Sequence, residues 1–119
     1  MVVSRSLTRI QERPEGQATF EMSNLRPKTT NLPFVVWVSQ KAGARHDVRV
    51  KVAHSAKVIP SQMSVYSVRP FAHVEGPGLS SGDEKFLEAW LTKNADALIG
   101  FWDGNIEYTE ELIEIIKPL

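Results

Sequence analysis

The stretch LPFVVWVSQKAGARHDVRVKVAHS, residues 32–55, decides the fold. It contains two runs rich in valine, at 34–39 and 46–54, separated by the short loop KAGA at 41–44. Valine and aromatic residues favour extended backbone, and Gly43 can take the positive φ that a tight hairpin loop requires. The stretch therefore predicts two antiparallel strands joined by a hairpin.

Outward from this hairpin, further strands are predicted on both sides. Residues 18–23 alternate with Phe20 and Met22 on one side, and residues 24–33 form a loop that contains two prolines. Residues 64–68 and 71–75 add strands, with a break or a sheet edge at Pro70. The prediction is an antiparallel sheet of three to five strands within residues 17–76.

Residues 81–119 predict helices. Ser81-Gly82-Asp83-Glu84 fits a capping box with Ser81 as the N-cap, and Asp103-Gly104 supplies a stop. Between them, one apolar stripe recurs at helical spacing: Leu87, Trp90, Leu91, Asn94, Leu98, Phe101 and Trp102. A short helix capped by Thr109 follows, with the stripe Leu112, Ile115, Ile116 and Leu119.

These elements predict one α+β domain over residues 17–119, in which a long C-terminal helix and a short helix pack on the sheet. Residues 1–16 are polar and rich in arginine, which predicts an N-terminal arm that is disordered or helical. At 119 residues with 42% hydrophobic residues, the chain can bury one core. No apolar run reaches 18 residues, so no membrane span is expected.

The chain contains no cysteine, and its N-terminus lacks the apolar run of a signal peptide. A cytoplasmic location is therefore expected. Charge divides the chain: residues 1–60 hold ten Lys and Arg against four Asp and Glu, and residues 61–119 hold four against ten. The two halves either neutralise each other, within one chain or between two, or the basic half meets an external polyanion.

The hairpin carries the candidate binding residues. Alternation on the second strand places Val48, Val50 and Val52 on the core face, so Arg45, Arg49 and Lys51 project from the other face in a row. Cations at this spacing could follow phosphates of a nucleic acid or contact a protein partner, and they are equally typical of a solvated strand face.

The histidines suggest little metal chemistry. His46 and His54 share a face but stand eight residues apart, about 26 Å at the rise of a strand. His73 and Glu75 could supply two ligands without an obvious third. No metal, cofactor or catalytic residue is predicted, and the rival enzyme class would be a nuclease-like hydrolase that uses His46, Arg49 and His73.

Asn94 is unusual because a polar side chain interrupts the apolar stripe of the long helix. A buried amide must find hydrogen-bond partners. Two interpretations stay open: the amide ties the helix to a nearby loop carbonyl, or it lines a pocket between Trp90 and Trp102.

The segments LPFVVWVS, ARHDVRVKV, SVRP, LEAWLTKNADALIGFWDG and YTEELIEIIKPL resemble a family of small uncharacterised bacterial proteins over residues 24–119. Residues 79–102 are also similar to the C-terminal helix of the DUF4160 family, whose PHFHV strand is echoed by FAHV at 71–74. The resemblance implies a bacterial, cytoplasmic setting and no specific activity.

Together these features favour a non-enzymatic binding or regulatory module that contacts nucleic acid or a protein through the basic hairpin. A homodimer is also expected. A small sheet has two open edges, the halves of the chain are oppositely charged, and Val2, Val3, Leu7 and Ile10 of the arm could pack on a partner.

Overall fold

The chain is organised as a sheet followed by helices, and the computed structural model describes residues 7–11, 19–55 and 57–119. The strands are β1 (Leu7–Gln11), β2 (Thr19–Leu25), β3 (Val35–Val38), β4 (Arg49–Ala53), β5 (Ser64–Val68) and β6 (Phe71–Glu75). The α-helices are α1 (Pro27–Thr30), α2 (Ser81–Trp102) and α3 (Thr109–Ile115), with one 3-10 turn at Pro60–Gln62.

The six strands lie in chain order across one sheet, and each is antiparallel to its neighbour. Short connections favour this arrangement because an antiparallel partner needs only a turn. The predicted α+β class, with an antiparallel sheet followed by a long and a short helix, is confirmed. Within the described part of residues 17–76 the sheet has five strands, as predicted, and β1 adds a sixth from outside that range.

The strand β1 lies inside the predicted arm of residues 1–16. Its sequence LTRIQ pairs with β2, with Ile10 opposite Phe20, so Leu7–Gln11 is extended where a disordered or helical segment was expected. The backbone of β1 hydrogen-bonds to an existing strand, and such tertiary partners override weak local preference. The rest of the arm lies outside the described residues.

One face of the sheet forms the main core with the helices. Residues directly opposite each other on neighbouring strands share a face. Val36 lies opposite Val52, and Val50 lies opposite Tyr66, so these four residues face the same side. All are at most 1% exposed and belong to one cluster with buried residues of α2 and α3.

The other face carries a second, smaller cluster. Trp37 is fully buried there and packs with Met22, Val35, Ala53 and Met63. Val58, from the connection between β4 and β5, packs against this cluster, so that connection helps to cover the face. The face opposite the helices is therefore only partly open to solvent.

The long helix α2 buries the predicted stripe. Its buried residues are Leu87, Trp90, Leu91, Asn94, Leu98, Phe101 and Trp102, the same seven that helical spacing selected. At Asn94 the backbone leaves helical geometry, with φ −114° and ψ 15°, so α2 is kinked. A side chain that bonds within the helix is a known cause of such kinks.

The N-cap of α2 lies one residue before the predicted one, and the predicted capping box is not present in this described part of the chain. Ser80 is the N-cap of α2, and its hydroxyl accepts from the Asp83 amide at 3.1 Å. The Glu84 carboxylate instead accepts from the Tyr66 hydroxyl at 2.6 Å, which ties α2 to β5. Burial, together with this hydrogen bond, raises the pKa of Tyr66 to about 12.

Other details of the strands and helices also differ from the prediction. The strand β4 begins at Arg49 rather than at residue 46, and the predicted loop at 24–33 contains the end of β2 and the short helix α1. In α3, Leu112 and Ile116 are buried as predicted, but Ile115 is 47% exposed. The helix ends at Ile115, so its last residue turns away from the sheet.

We expect Trp90→Ala to lower the free energy of unfolding by about 3–5 kcal/mol, because Trp90 is fully buried in the main core. Urea unfolding followed by circular dichroism measures the change. Phe86→Ala is the matched control, since Phe86 lies on the same helix and is 50% exposed. A loss in Trp90→Ala no larger than in this control would show that α2 packs by another face.

Candidate functional site

Two cations project from the face of β4 that lies opposite the helices. Arg49 and Lys51 alternate with the buried Val50 and Val52, so they share this face. Lys51 lies opposite Trp37 on β3 and opposite Val65 on β5. Both cations are half-buried, and their aliphatic stems therefore cover apolar surface while the charged ends reach outward.

These two cations line a groove of about 130 Å³, which we call the basic groove. Its titratable lining is Lys41, His46, Arg49, Lys51 and Glu75. Its apolar lining includes Met22, Val65 and Trp102. Among the described residues of this lining, permanent cations outnumber carboxylates, which favours an anionic ligand although the formal net charge of the chain is zero.

Among the described residues, no hydrogen-bond or ion-pair partner reaches the Arg49 guanidinium. Arginine bonds carboxylates and phosphates through its N–H groups, so an arginine on the wall of a groove with no such partner can receive an anion. Arg49 is therefore the residue of the basic groove best placed to receive an anionic ligand.

The loop between β3 and β4 brings Lys41 and His46 into the basic groove. The Lys41 amide donates to the carbonyl of Trp102 at 2.9 Å, which attaches the loop to the end of α2. Nearby, the Gln40 side-chain amide donates to the carbonyls of Ile106 and Glu107. The turn is made by Ala42 and Gly43, both with positive φ.

An ion pair holds the second half of this loop. Arg69 donates to both carboxylate oxygens of Asp47, at 2.6 and 3.0 Å. This bidentate bond, together with a backbone bond from Val48, lowers the pKa of Asp47 from its usual 3.8 to about 2. The pair therefore persists throughout the neutral range, and its contribution is lost only as the pH falls toward 2.

His46 lies beside Asp47 and over Trp102. Its ring stacks on the indole with a centroid separation of 5.6 Å and an interplanar angle of 28°. Its Nδ1 lies 2.7 Å from the Asp47 carbonyl oxygen. Trp102 is only 4% exposed, whereas His46 is exposed. The stack therefore presents the imidazole at the wall of the basic groove.

The predicted row of three cations is only partly present. Arg49 and Lys51 are neighbours on one face as predicted, but Arg45 lies in a bend before β4, is exposed and does not line the basic groove. The attachment of the loop at Lys41 and at Asp47 keeps residues 45–48 out of the strand. Lys41 lines the basic groove, whereas Arg45 does not.

The three residues of the nuclease-like alternative do not converge. His46 and Arg49 both line the basic groove. His73 pairs with Tyr66 on β5, and Tyr66 pairs with Val50 on β4. Because Val50 lies on the face of the sheet that the helices cover, His73 lies on that face too. Its ring packs against Tyr66 with centroids 5.2 Å apart, and its Nε2 lies 3.1 Å from the Glu75 carbonyl. The sheet therefore separates His73 from Arg49.

The residues of the predicted pocket, Trp90, Asn94 and Trp102, do not together line the basic groove. The Asn94 amide donates to the carbonyls of Trp90 and Lys117, at 3.0 and 2.9 Å, and its oxygen accepts from the Lys117 amide at 2.7 Å. Asn94 thus fastens the C-terminal segment to α2. This agrees with the first interpretation of Asn94, in which the amide ties the helix to a nearby backbone carbonyl. Of the three residues, only Trp102 lines the basic groove.

Sequence reasoning missed Lys41 and Glu75 as residues of the site. Glu75 reaches it because a bulge in the pairing of β5 with β6 sets it opposite Val65. Within the described part of the chain, no group of three or more His, Cys, Asp or Glu residues could hold a metal ion. No helix in that part is long and apolar enough to cross a membrane.

Comparison with known proteins finds one partial similarity. The anhydro-N-acetylmuramic acid kinase of Pseudomonas fluorescens (strain Pf0-1) is 32% identical to the chain over 79 residues. These residues are 66% of the chain and 22% of the kinase, so the chain spans about a fifth of the length of this relative. No family model and no solved structure matches the chain.

We expect Asn94→Leu to destabilise the protein by about 1–3 kcal/mol, because both backbone groups of Lys117 lose their partner in a part-buried position. Thermal and urea unfolding measure the loss. Lys93→Ala serves as the control, since the exposed Lys93 bonds only the Pro118 carbonyl among the described residues. A variant as stable as the wild type would mean that the amide does not fasten this segment.

Proposed function

We propose that the protein is a non-enzymatic binding module that receives a nucleic-acid backbone in the basic groove. The observation that carries the proposal is Arg49, a half-buried arginine without a hydrogen-bond or ion-pair partner among the described residues, with Lys41 lining the same groove. Arginine bonds phosphate through two parallel N–H groups, and lysine adds a point charge.

The basic groove is small. A space of about 130 Å³ admits a small part of one flexible chain, such as a single strand. Because the net charge of the protein is zero, attraction arises from the groove itself and not from the whole surface. Lys41 and Arg49 can neutralise about two phosphates, which predicts weak and salt-dependent binding.

The position of His73 supports binding rather than hydrolysis. A nuclease-like reaction through His46, Arg49 and His73 requires all three side chains at one phosphodiester, and His73 lies on the helix face of the sheet. The two remaining residues supply a positive charge and one imidazole. Arg49 and His46 can together hold an anion. Without His73 they lack the second acid–base group that the nuclease-like reaction requires.

We also propose that the protein acts in the bacterial cytoplasm as a homodimer. In the described part of the sheet, β1 and β6 are the outer strands, each with one side that pairs with no other strand. The β6 strand exposes Ala72 and Val74, and such an edge readily pairs with a second copy. The opposite charges of the two halves of the chain support association as well.

Arg49→Ala is expected to weaken binding of a ten-nucleotide oligo(dT) about tenfold, because an arginine contact to phosphate is removed. Fluorescence anisotropy at several salt concentrations measures the affinity. The wild-type plot of log affinity against log salt should have a slope of about −1.4 for two phosphate contacts, and the variant a shallower slope.

Arg45→Ala is the matched control, since Arg45 carries the same charge on the same hairpin outside the basic groove. Equal losses in the two variants would contradict the assignment to the groove.

The compound in the name of the similar kinase, anhydro-N-acetylmuramic acid, is a useful competitor. Its displacement of the oligonucleotide at lower concentration than free phosphate would assign the groove to a sugar acid instead.

For the homodimer, static light scattering of the full chain at micromolar concentration should give twice the mass of 13.4 kDa. Val74→Lys should reduce the mass to that of a monomer, because a lysine on an open edge opposes strand pairing. Ile115→Lys, a charge at an exposed apolar residue of α3, should leave the dimer intact. A monomeric wild type would reject the dimer, and a dimer that survives Val74→Lys would reject β6 as its interface.

A further inference from the structure

The ring of His46 stacks on Trp102 and also lines the basic groove. With the imidazole over it, Trp102 is only 4% exposed, whereas His46 itself is exposed. An exposed aromatic ring that is already stacked on one neighbour therefore lies at the edge of the basic groove.

The ring is held in place on two sides. Its Nδ1 lies 2.7 Å from the Asp47 carbonyl oxygen, and the Asp47 carboxylate is held by both donors of Arg69. Below the ring, Trp102 is attached through its carbonyl to the Lys41 amide. An aromatic ring fixed in this way loses little conformational entropy when a second ring stacks on it.

We propose that His46 is a stacking platform for a nucleobase, and that the ligand of the basic groove is therefore single-stranded nucleic acid with an unpaired base. This inference rests on the proposed function, because Lys41 and Arg49 would hold the flanking phosphates. A basic groove combined with an aromatic ring is the arrangement by which proteins bind single strands without strong sequence preference. The base, the imidazole and the Trp102 indole would form a stack of three rings.

The test compares two oligomers on the full chain by fluorescence anisotropy: oligo(dT) of ten nucleotides and an abasic oligomer with the same ten-unit backbone. Base stacking should make the wild type bind oligo(dT) about tenfold more tightly than the abasic oligomer. His46→Ala should remove this difference, because the ring on which the base stacks is gone. His46→Phe, which keeps a flat ring, should retain it.

The outcomes separate the two proposals. If both oligomers bind the wild type equally and His46→Ala changes neither affinity, the stacking platform is rejected and backbone binding stands. If neither oligomer binds, the proposed function fails and the platform with it. Thermal midpoints of the two His46 variants confirm folding, and preserved selectivity in a folded His46→Ala protein would also overturn the inference.

Discussion

The pairing of β3 with β4 is the constraint on which the rest of the structure depends. Val36 opposite Val52 places the main core on one side, and Trp37 opposite Lys51 places the second cluster and the basic groove on the other. Because side chains alternate, a slip of one residue would expose the valines and bury Lys51. The pairing register of β3 with β4 is therefore fixed both by the burial of the valines and by the free-energy cost of burying the charge of Lys51.

The geometry of the basic groove also depends on the C-terminal end of α2. Its last residue, Trp102, belongs to the buried stripe of the helix, and it also accepts from Lys41 and supports the ring of His46. One residue of the hydrophobic core therefore positions two residues of the groove. A change that shifts α2 on the sheet would move the loop between β3 and β4, so the stability of the core and the geometry of the groove are coupled.

Much of the fold could be predicted from periodicity. The stripe of α2 follows from helical spacing because burial on one face repeats along a single element. Where prediction was wrong, contacts distant in sequence decided the outcome. The strand β1 forms because β2 offers a partner, and β4 begins late because Asp47 bonds Arg69 across 22 positions.

The candidate site was less predictable for the same reason. Alternation identified Arg49 and Lys51, since both lie on one strand. Lys41 and Glu75 come from a loop and from a bulged pairing, and neither feature leaves a periodic signal. Asn94 was recognised as unusual from its place in an apolar stripe, but its partner Lys117 stands 23 positions away and could not be inferred.

The composition of the second face bears on whether the basic groove has a function. Met22, Trp37 and Val65 surround the cations of β4, so an apolar residue at position 49 would extend the small cluster and add buried area. Arg49 instead keeps a charge on this face and has no hydrogen-bond or ion-pair partner among the described residues. Sequences shaped by stability alone avoid such positions, and departures of this kind concentrate at functional sites. The unfavourable placement of Arg49 is thus itself an argument that an anion completes the groove.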